Sequence, residues 1–398
     1  MVILRKQQED NFIFTGIGKL TFVIIIVSLA MALVSTIWAV YMDSFFHEIS
    51  KVGLFSSVLT IISFFSYFFF IPLIEKSNKA KLFSISLFLF SLNYFLFALN
   101  KSFAIFIFLS FLITILTTIR ITSFGILVRN NSKKETLSKN QGIIYSFRNL
   151  AWLIGPLIAG YLANKYNISL IFIISAFLIF LAFISFNFLK ITDKNKTKES
   201  KKGIIKNFID FFRNKNRVYA YILGGGVNLW WSLIYLFIPL FIIRNNLNDL
   251  WIGYFLFAVA IPLILFEYYF SKLAGKIGFK KIFKIGFLIP AIISLICFFI
   301  PNIYIILILL VLASLGLAML EPTTEAYFFD ILDRKEVSRF YGPYNTSIDS
   351  SSFIGRIIPS LLLFLLPFKY IFLIFSLFMF IMVIISYQIK DSVEKNEK

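Results

Sequence analysis

The 398-residue chain has one cysteine, Cys297, and one histidine, His47. An internal disulfide is thereby excluded, and so is a metal site built from clustered Cys and His. Charge is scarce as well: Asp, Glu, Lys and Arg together make up 15% of the residues. No G-x-x-x-x-G-K-[ST] phosphate loop occurs, so ATP is not the expected energy source. Neither H-E-x-x-H nor G-x-S-x-G occurs, and the chain is not read as an enzyme.

What the chain has instead is apolar surface. Hydrophobic residues make up 59% of it and include 52 Phe. A soluble domain cannot bury that much, so much of it must face lipid. Its apolar runs reach the roughly 20 residues that cross about 30 Å of hydrocarbon. They are continuous rather than alternating, which fits helices and not barrel strands. Spans are expected near 19–42, 52–75, 81–99, 102–128, 142–164 and 168–190, then 218–243, 250–271, 282–300, 303–330, 341–366 and 368–390. The first run exceeds a signal-peptide core and is read as a retained span. The fold class is therefore an all-α membrane protein of twelve transmembrane helices in two six-helix bundles. Residues 1–18 form a tail, 19–190 the first bundle, 191–217 a linker, 218–390 the second bundle and 391–398 a second tail.

The charge that is present is one-sided. Lys and Arg number 39 against 20 Asp and Glu, a formal net charge of +19. Assigned to alternate loops, only Lys51, Lys101, Lys165, Arg244 and Lys369 fall on one side, and Arg120, Arg148 and Arg356 fall inside spans. All the others share the side that holds both termini. This is the positive-inside pattern, and it makes both termini cytoplasmic. Anionic lipid accounts for the basic loops, and no nucleic-acid partner is needed. His47 reads as a solvated loop residue, and Trp38 and Tyr41 as interface anchors. Within the linker, Ile204, Ile205, Phe208, Phe211 and Phe212 fall at helical spacing. They read as a short amphipathic helix on the inner leaflet.

The punctuation of the chain repeats at an offset of 200. Gly53 falls on Gly253, Gly142 on Gly342 and Ile154-Gly155 on Ile354-Gly355. The loop after the second span reads Glu75-Lys76-Ser-Asn78-Lys-Ala-Lys81. Its counterpart reads Gly275-Lys276-Ile-Gly278-Phe-Lys280-Lys281. Together they resemble the loop motif G-x-x-x-D-[RK]-x-G-x-[RK]-[RK] of the major facilitator superfamily. The first copy keeps the acid as Glu75 beside Lys76; the second keeps Gly278, Lys276, Lys280 and Lys281. A Gly or Asn there is expected to allow a left-handed turn. Span 5 carries Gly142, Ala151, Gly155-Pro156 and Ala159-Gly160, similar to that family's G-x8-G-x3-G-P-x2-G-G, with alanine at two glycine positions. Arg120, followed by Gly125, resembles the family's arginine-bearing span 4. The resemblance implies a secondary transporter working by alternating access, and its span-5 pattern is associated with export.

Charges at the bilayer centre cost about 2.5–3.5 kcal/mol each on insertion scales, so they face a cavity or a partner. Here they are Arg120 and Arg148 in the first half, then Glu267, Glu321, Glu325, Asp349 and Arg356 in the second. The cores of spans 3, 6, 9 and 12 hold none, and in the family those helices are peripheral. Glu321, Glu325 and Asp349 are candidates to carry a proton, with a static set of ion pairs as the alternative. Glu267 and Glu325 lie near the cytoplasmic ends, where static pairing is expected. Arg120 and Arg148 are candidates to hold an anionic group. Gly224-Gly225-Gly226 suggest a bendable segment in span 7, and Asn228, Trp230 and Trp231 a lining for a solute, or simple packing.

These features lead to an expected secondary transporter of a small solute, a multi-pass monomer of the cell membrane. Its expected mode is proton-coupled export, with proton as coupling ion and no other cofactor. Proton-coupled uptake of a sugar or organic acid is the alternative within that class. A non-transporting receptor with the same fold is the alternative outside it.

Overall fold

A computed structural model describes residues 15–132, 137–191, 204–333 and 336–389. The tails, linker residues 192–203 and the basic pair Lys133-Lys134 lie outside the described residues. Every regular element among the described residues is a helix. In chain order these are α1 (Gly16–Phe46), α2 (Ile49–Lys76), α3 (Lys79–Leu99), α4 (Phe103–Asn130), α5 (Leu137–Lys165), α6 (Ile168–Phe188) and α7 (Ile204–Phe212). Then come α8 (Lys215–Ser232), α9 (Ile238–Arg244), α10 (Asp249–Ile277), α11 (Phe279–Phe299), α12 (Ile303–Asp330), α13 (Val337–Leu362) and α14 (Tyr370–Ser386).

Asparagine starts several of them. The side chains of Asn78, Asn167, Asn214 and Asn302 accept from the first free backbone N–H groups of α3, α6, α8 and α12. Those donors have no partner inside the helix, and Asn is among the residues that satisfy them best. Nine of the helical spans among the described residues are long and apolar enough to cross a membrane. The apolar α14 has 17 residues, and α5 and α13 carry more polar side chains than the nine.

A π-helical turn, Leu233–Phe237, joins α8 to α9. Pro239 follows it and has no N–H to offer the carbonyl of Tyr235, so the regular ladder cannot run through. The three glycines of α8, in the segment expected to be bendable, sit where the helix packs closely on its neighbours. A Cβ on Gly224 would meet the Tyr344 hydroxyl at 2.5 Å, and one on Gly225 the Ser351 Oγ at 2.0 Å. These two let α8 pack closely on α13, while Gly226 faces Phe287 of α11 and Met382 of α14. Tyr41, expected as an interface anchor, is buried, its ring 5.3 Å from that of Phe45.

The 200-residue repeat is visible in the helices themselves. The limits of α3 and α4 recur in α11 and α12 at that offset. Ser91 of α3 donates to the carbonyl of Ala176 in α6 at 2.8 Å, and Ser376 of α14 donates to that of Ala291 in α11 at 2.8 Å. These are the same two positions in each half, with the hydroxyl moved to the other helix.

The described residues fall into two compact units. One draws on Met1–Val34, Phe65–Gly155 and Tyr166–Glu199, the other on Ser35–Phe64, Pro156–Lys165 and Ser200–Lys398. In the second unit, short stretches of α1, α2 and α5 pack with helices of the second half of the sequence. A Cβ at Gly53 would lie 1.8 Å from Ser360 Oγ, and one at Gly160 would lie 2.9 Å from the Gly253 Cα. These two contacts are themselves related by the repeat, α2 on α13 and α5 on α10. The linker helix α7 also belongs to this unit. Expected to lie on the inner leaflet, it also packs on the protein, its Phe211 fully buried against Tyr221, Phe328 and Phe340.

Candidate functional site

The second unit gathers most of the intramembrane carboxyl groups. Glu321 of α12 accepts a 2.6 Å hydrogen bond at Oε1 from Trp231 Nε1 of α8. Glu267 of α10 lies within hydrogen-bonding reach of the same Glu321 carboxyl. The ring of Tyr235, in the π-helical turn, stands 5.4 Å from that of Trp231. Expected as a member of a static ion pair, Glu267 instead faces a second acid. A carboxylate only accepts hydrogen bonds, so two carboxyls in contact require a proton on one of them.

Glu325, one turn further along α12, accepts from the Tyr341 hydroxyl at 2.9 Å. Asp349 of α13 accepts from the Ser63 hydroxyl of α2. Arg356, seven residues on, donates to Thr60 Oγ1 at 2.6 Å and to the Ser56 carbonyl at 3.3 Å. Its Nε is buried with no partner among the described residues. None of Glu267, Glu321, Glu325 or Asp349 forms an ion pair among the described residues. Asn228 donates to the Gly224 carbonyl within its own helix at 3.3 Å. Trp230 is fully buried and takes the packing role.

The first unit holds the arginines. Arg120 of α4 is 6% exposed, and its guanidinium stands 5.4 Å over the Phe90 ring. Tyr94 is close by, and its hydroxyl points to Met31 Sδ at 3.2 Å. The Nε of Arg120 has no hydrogen-bond partner among the described residues, and no carboxylate there pairs with it. Arg148 of α5 lies near enough to repel it. A buried cation facing a second cation and aromatic rings is short of negative charge, which an anionic group on a ligand would supply.

The motif residues are placed as follows. Gly278 stands between α10 and α11 with φ 86°, a backbone that favours glycine, and its N–H bonds to the Ala274 carbonyl at 2.9 Å. Asn78 has φ −74° and caps α3, so the left-handed turn expected of it is not formed. Lys276 and Lys281 are exposed and Lys280 is half-buried. The side chains of Glu75 and Lys76 and the surroundings of Gly142 lie outside what the structure describes. Gly155 packs on α1, where a Cβ would meet Ala32 at 2.5 Å, and Pro156 and Gly160 pack on Gly253 of α10.

One pair escaped the sequence reading. Arg244, at the end of α9, donates two 2.8 Å bonds to the carboxylate of Asp43, near the end of α1. The signal was available: the residues stand 201 apart, at corresponding ends of the first span of each half, with opposite charge. A cavity of about 280 Å³ lies beside the pair, lined by His47, Glu48, Ser50, Arg244, Phe364 and Phe368 among others. None of the intramembrane carboxyls reaches it.

The family model of the Major Facilitator Superfamily matches residues 20–263 and 231–398. An uncharacterised transporter of this type from Methanocaldococcus jannaschii is 28% identical over 229 residues; the match covers 56% of this chain and 59% of that relative. Among solved structures, a POT family transporter with 5-aminolevulinic acid superposes with a TM-score of 0.76 at 13% identity, covering 93% of this chain and 95% of that one. A bacterial homologue of the human lysosomal transporter Spinster, inward-facing and unoccupied, gives 0.77 at 9% identity over 94% and 95%. A nucleoside transporter gives 0.73 at 12% identity over 94% and 99%. At these identities the superpositions speak for the fold. With the family match spanning nearly the whole chain, the protein belongs to the Major Facilitator Superfamily.

Proposed function

We propose that the protein is a proton-coupled exporter of a small solute, working by alternating access with twelve spans in two six-helix bundles and both termini cytoplasmic. It acts as a monomer in the cell membrane. The observation that carries this reading is the Glu267–Glu321 contact with Trp231 bonded to Glu321. A proton shared between the two carboxyls allows the hydrogen bond, because two charged carboxylates would repel in a medium of low dielectric. Exposure of the pair to a more alkaline compartment lets the proton leave, and the repulsion that follows favours a rearrangement of the helices carrying it. Solute and proton then cross in opposite directions.

Arg120 supports a solute with an anionic group, since it lacks a counter-charge among the described residues. Asp43 and Arg244 must part for the end of α1 to move away from that of α9, so this pair is a latch on the outer side of the cycle.

The test is proton movement in liposomes containing the purified protein. Glu321→Gln and Glu267→Gln each keep a hydrogen-bonding side chain and remove one titrating group. Both are expected to abolish solute-dependent proton movement while sparing solute counterflow. Wild-type proton movement in both variants would remove the pair from the mechanism.

A further inference from the structure

The linker helix α7 has two faces, and the transport cycle proposed above uses neither. One face is docked. Phe211 is fully buried, and Arg339 at the foot of α13 donates to Asn207 Oδ1 at 2.9 Å and pairs with Asp210. Arg217 and Arg339 both lie over the Phe340 ring, at 4.0 and 4.8 Å, which fixes the aromatic seat of Phe211.

The other face is open. Lys206, Ile209 and Arg213 follow at i, i+3 and i+7, in one line along the helix, with Phe212 beside it. Lys206 and Arg213 are exposed, Ile209 is 51% exposed and Phe212 44%. Arg213 touches Asp210 only at 3.8 Å, and its side chain is 76% exposed. Phe212 also meets the Tyr221 ring at 5.1 Å, so Ile209 and the outward part of Phe212 stand beside two exposed cations. This is what an interfacial helix presents to a leaflet, with apolar groups at the acyl boundary and cations at the phosphates. The charge of the surrounding sequence has the same sign. From Lys190 to Arg217 there are ten basic residues against three acidic ones, Asp193, Glu199 and Asp210.

We propose that α7 is a binding site for anionic phospholipid headgroups, with Lys206 and Arg213 holding phosphate and Ile209 and Phe212 entering the leaflet, while its opposite face holds the foot of α13. The proposal rests on the topology given above, which puts the linker at the cytoplasmic leaflet, and not on the proton pair. The lipid contact is thereby coupled to the helix that carries Asp349 and Arg356.

The full chain carrying Ile209→Cys labelled with bimane is placed in vesicles of phosphatidylcholine alone, or with about one-third phosphatidylglycerol. Cys297 is buried and does not compete for the label. Quenching by nitroxide-bearing lipid and by aqueous iodide reports where position 209 sits. Lipid quenching is expected to rise, and iodide quenching to fall, when phosphatidylglycerol is present. In the Lys206→Glu, Arg213→Glu double variant that response should disappear. The phosphatidylglycerol needed for half the response in each single variant should rise roughly fivefold. Because these side chains are exposed, folding is checked by an unchanged unfolding temperature in phosphatidylcholine. A label that responds identically in the double variant overturns the proposal, as does one shielded from both quenchers in every membrane, which would mean a protein surface covers this face. Wild-type proton movement in Glu321→Gln and Glu267→Gln would remove the proton pair and leave this result untouched, so the two readings fail separately.

Discussion

Asp43 and Arg244 meet through two bonds of 2.8 Å, with the aspartate side chain 12% exposed and the arginine 44%. Removing one partner leaves the other charge without its counter-ion. Asp43→Asn or Arg244→Gln is expected to destabilise the protein by about 1–3 kcal/mol, toward the lower end because water screens the arginine. Exchanging the two, Asp43→Arg with Arg244→Asp, should recover part of that loss. Thermal unfolding of the purified variants gives the coupling through a double-mutant cycle. A coupling near zero would make the pair incidental to the latch assigned to it.

Glu267 shows what a single chain reading misses at this scale. Its place near the end of a span suggested a static ion pair, and its partner turned out to be an acid 54 positions away on α12. Spacing along one helix tells which residues share a face, as for Glu321 and Glu325. It says nothing of which neighbouring helix that face meets. Trp231 was legible only as an aromatic near mid-membrane, because its donor role depends on a partner 90 residues away.

At the scale of helices, close contact between backbones decides which glycines matter. A Cβ at Gly160 would meet Gly253 Cα at 2.9 Å, Gly253 N at 3.0 Å and the Asp249 carbonyl at 3.1 Å, all backbone atoms that cannot rotate away. Gly125 of α4 has nothing within 4 Å of a built Cβ. Alanine gains about 1 kcal/mol over glycine in a helix. Gly125→Ala is therefore expected to stabilise by about that amount, and Gly160→Ala to destabilise by about 1–3 kcal/mol through overpacking. Equal unfolding temperatures for the two variants would contradict the assignment. The fully buried Phe211 gives a parallel case for the linker helix. Phe211→Ala should cost about 3 kcal/mol or more and release α7 from α13, measurable as proteolysis after Lys206 or Arg213.

Element positions were the most legible part of the fold. Long continuous apolar runs have one solution in lipid, so nearly every expected span lies along a helix found here. The glycines of span 7 suggest a bendable segment because glycine weakens a helix. Their close packing against Tyr344 and Ser351, which needs the missing side chains, depends on a helix more than 100 residues away and has no signal in span 7 itself. The π-helical turn at 233–237 has its sequence signal in Pro239.

For the molecule as a whole, the repeat accounts for the architecture, and the departures from it mark the chemistry. Corresponding helix limits, the paired serine bonds and the paired glycine contacts all recur at the 200-residue offset. Charge does not follow that plan. Arg120 and Arg148 stand in the first unit with no counterpart cations at 320 and 348, where Leu320 and Ile348 stand. Glu267 and Glu321 stand in the second with Tyr67 and Ile121 at their repeat positions. Such asymmetry suits a carrier in which one half supplies charge for an anionic group and the other titrates. The measurement that tests this most directly is solute accumulation by proteoliposomes under an imposed pH gradient, screening organic acids, amino acids, sugars and dyes. The account predicts that at least one anion-bearing solute accumulates against its gradient, that reversing the pH gradient reverses the flux, and that Glu321→Gln equilibrates the solute without accumulating it. Accumulation by Glu321→Gln equal to that of the wild-type protein would contradict it.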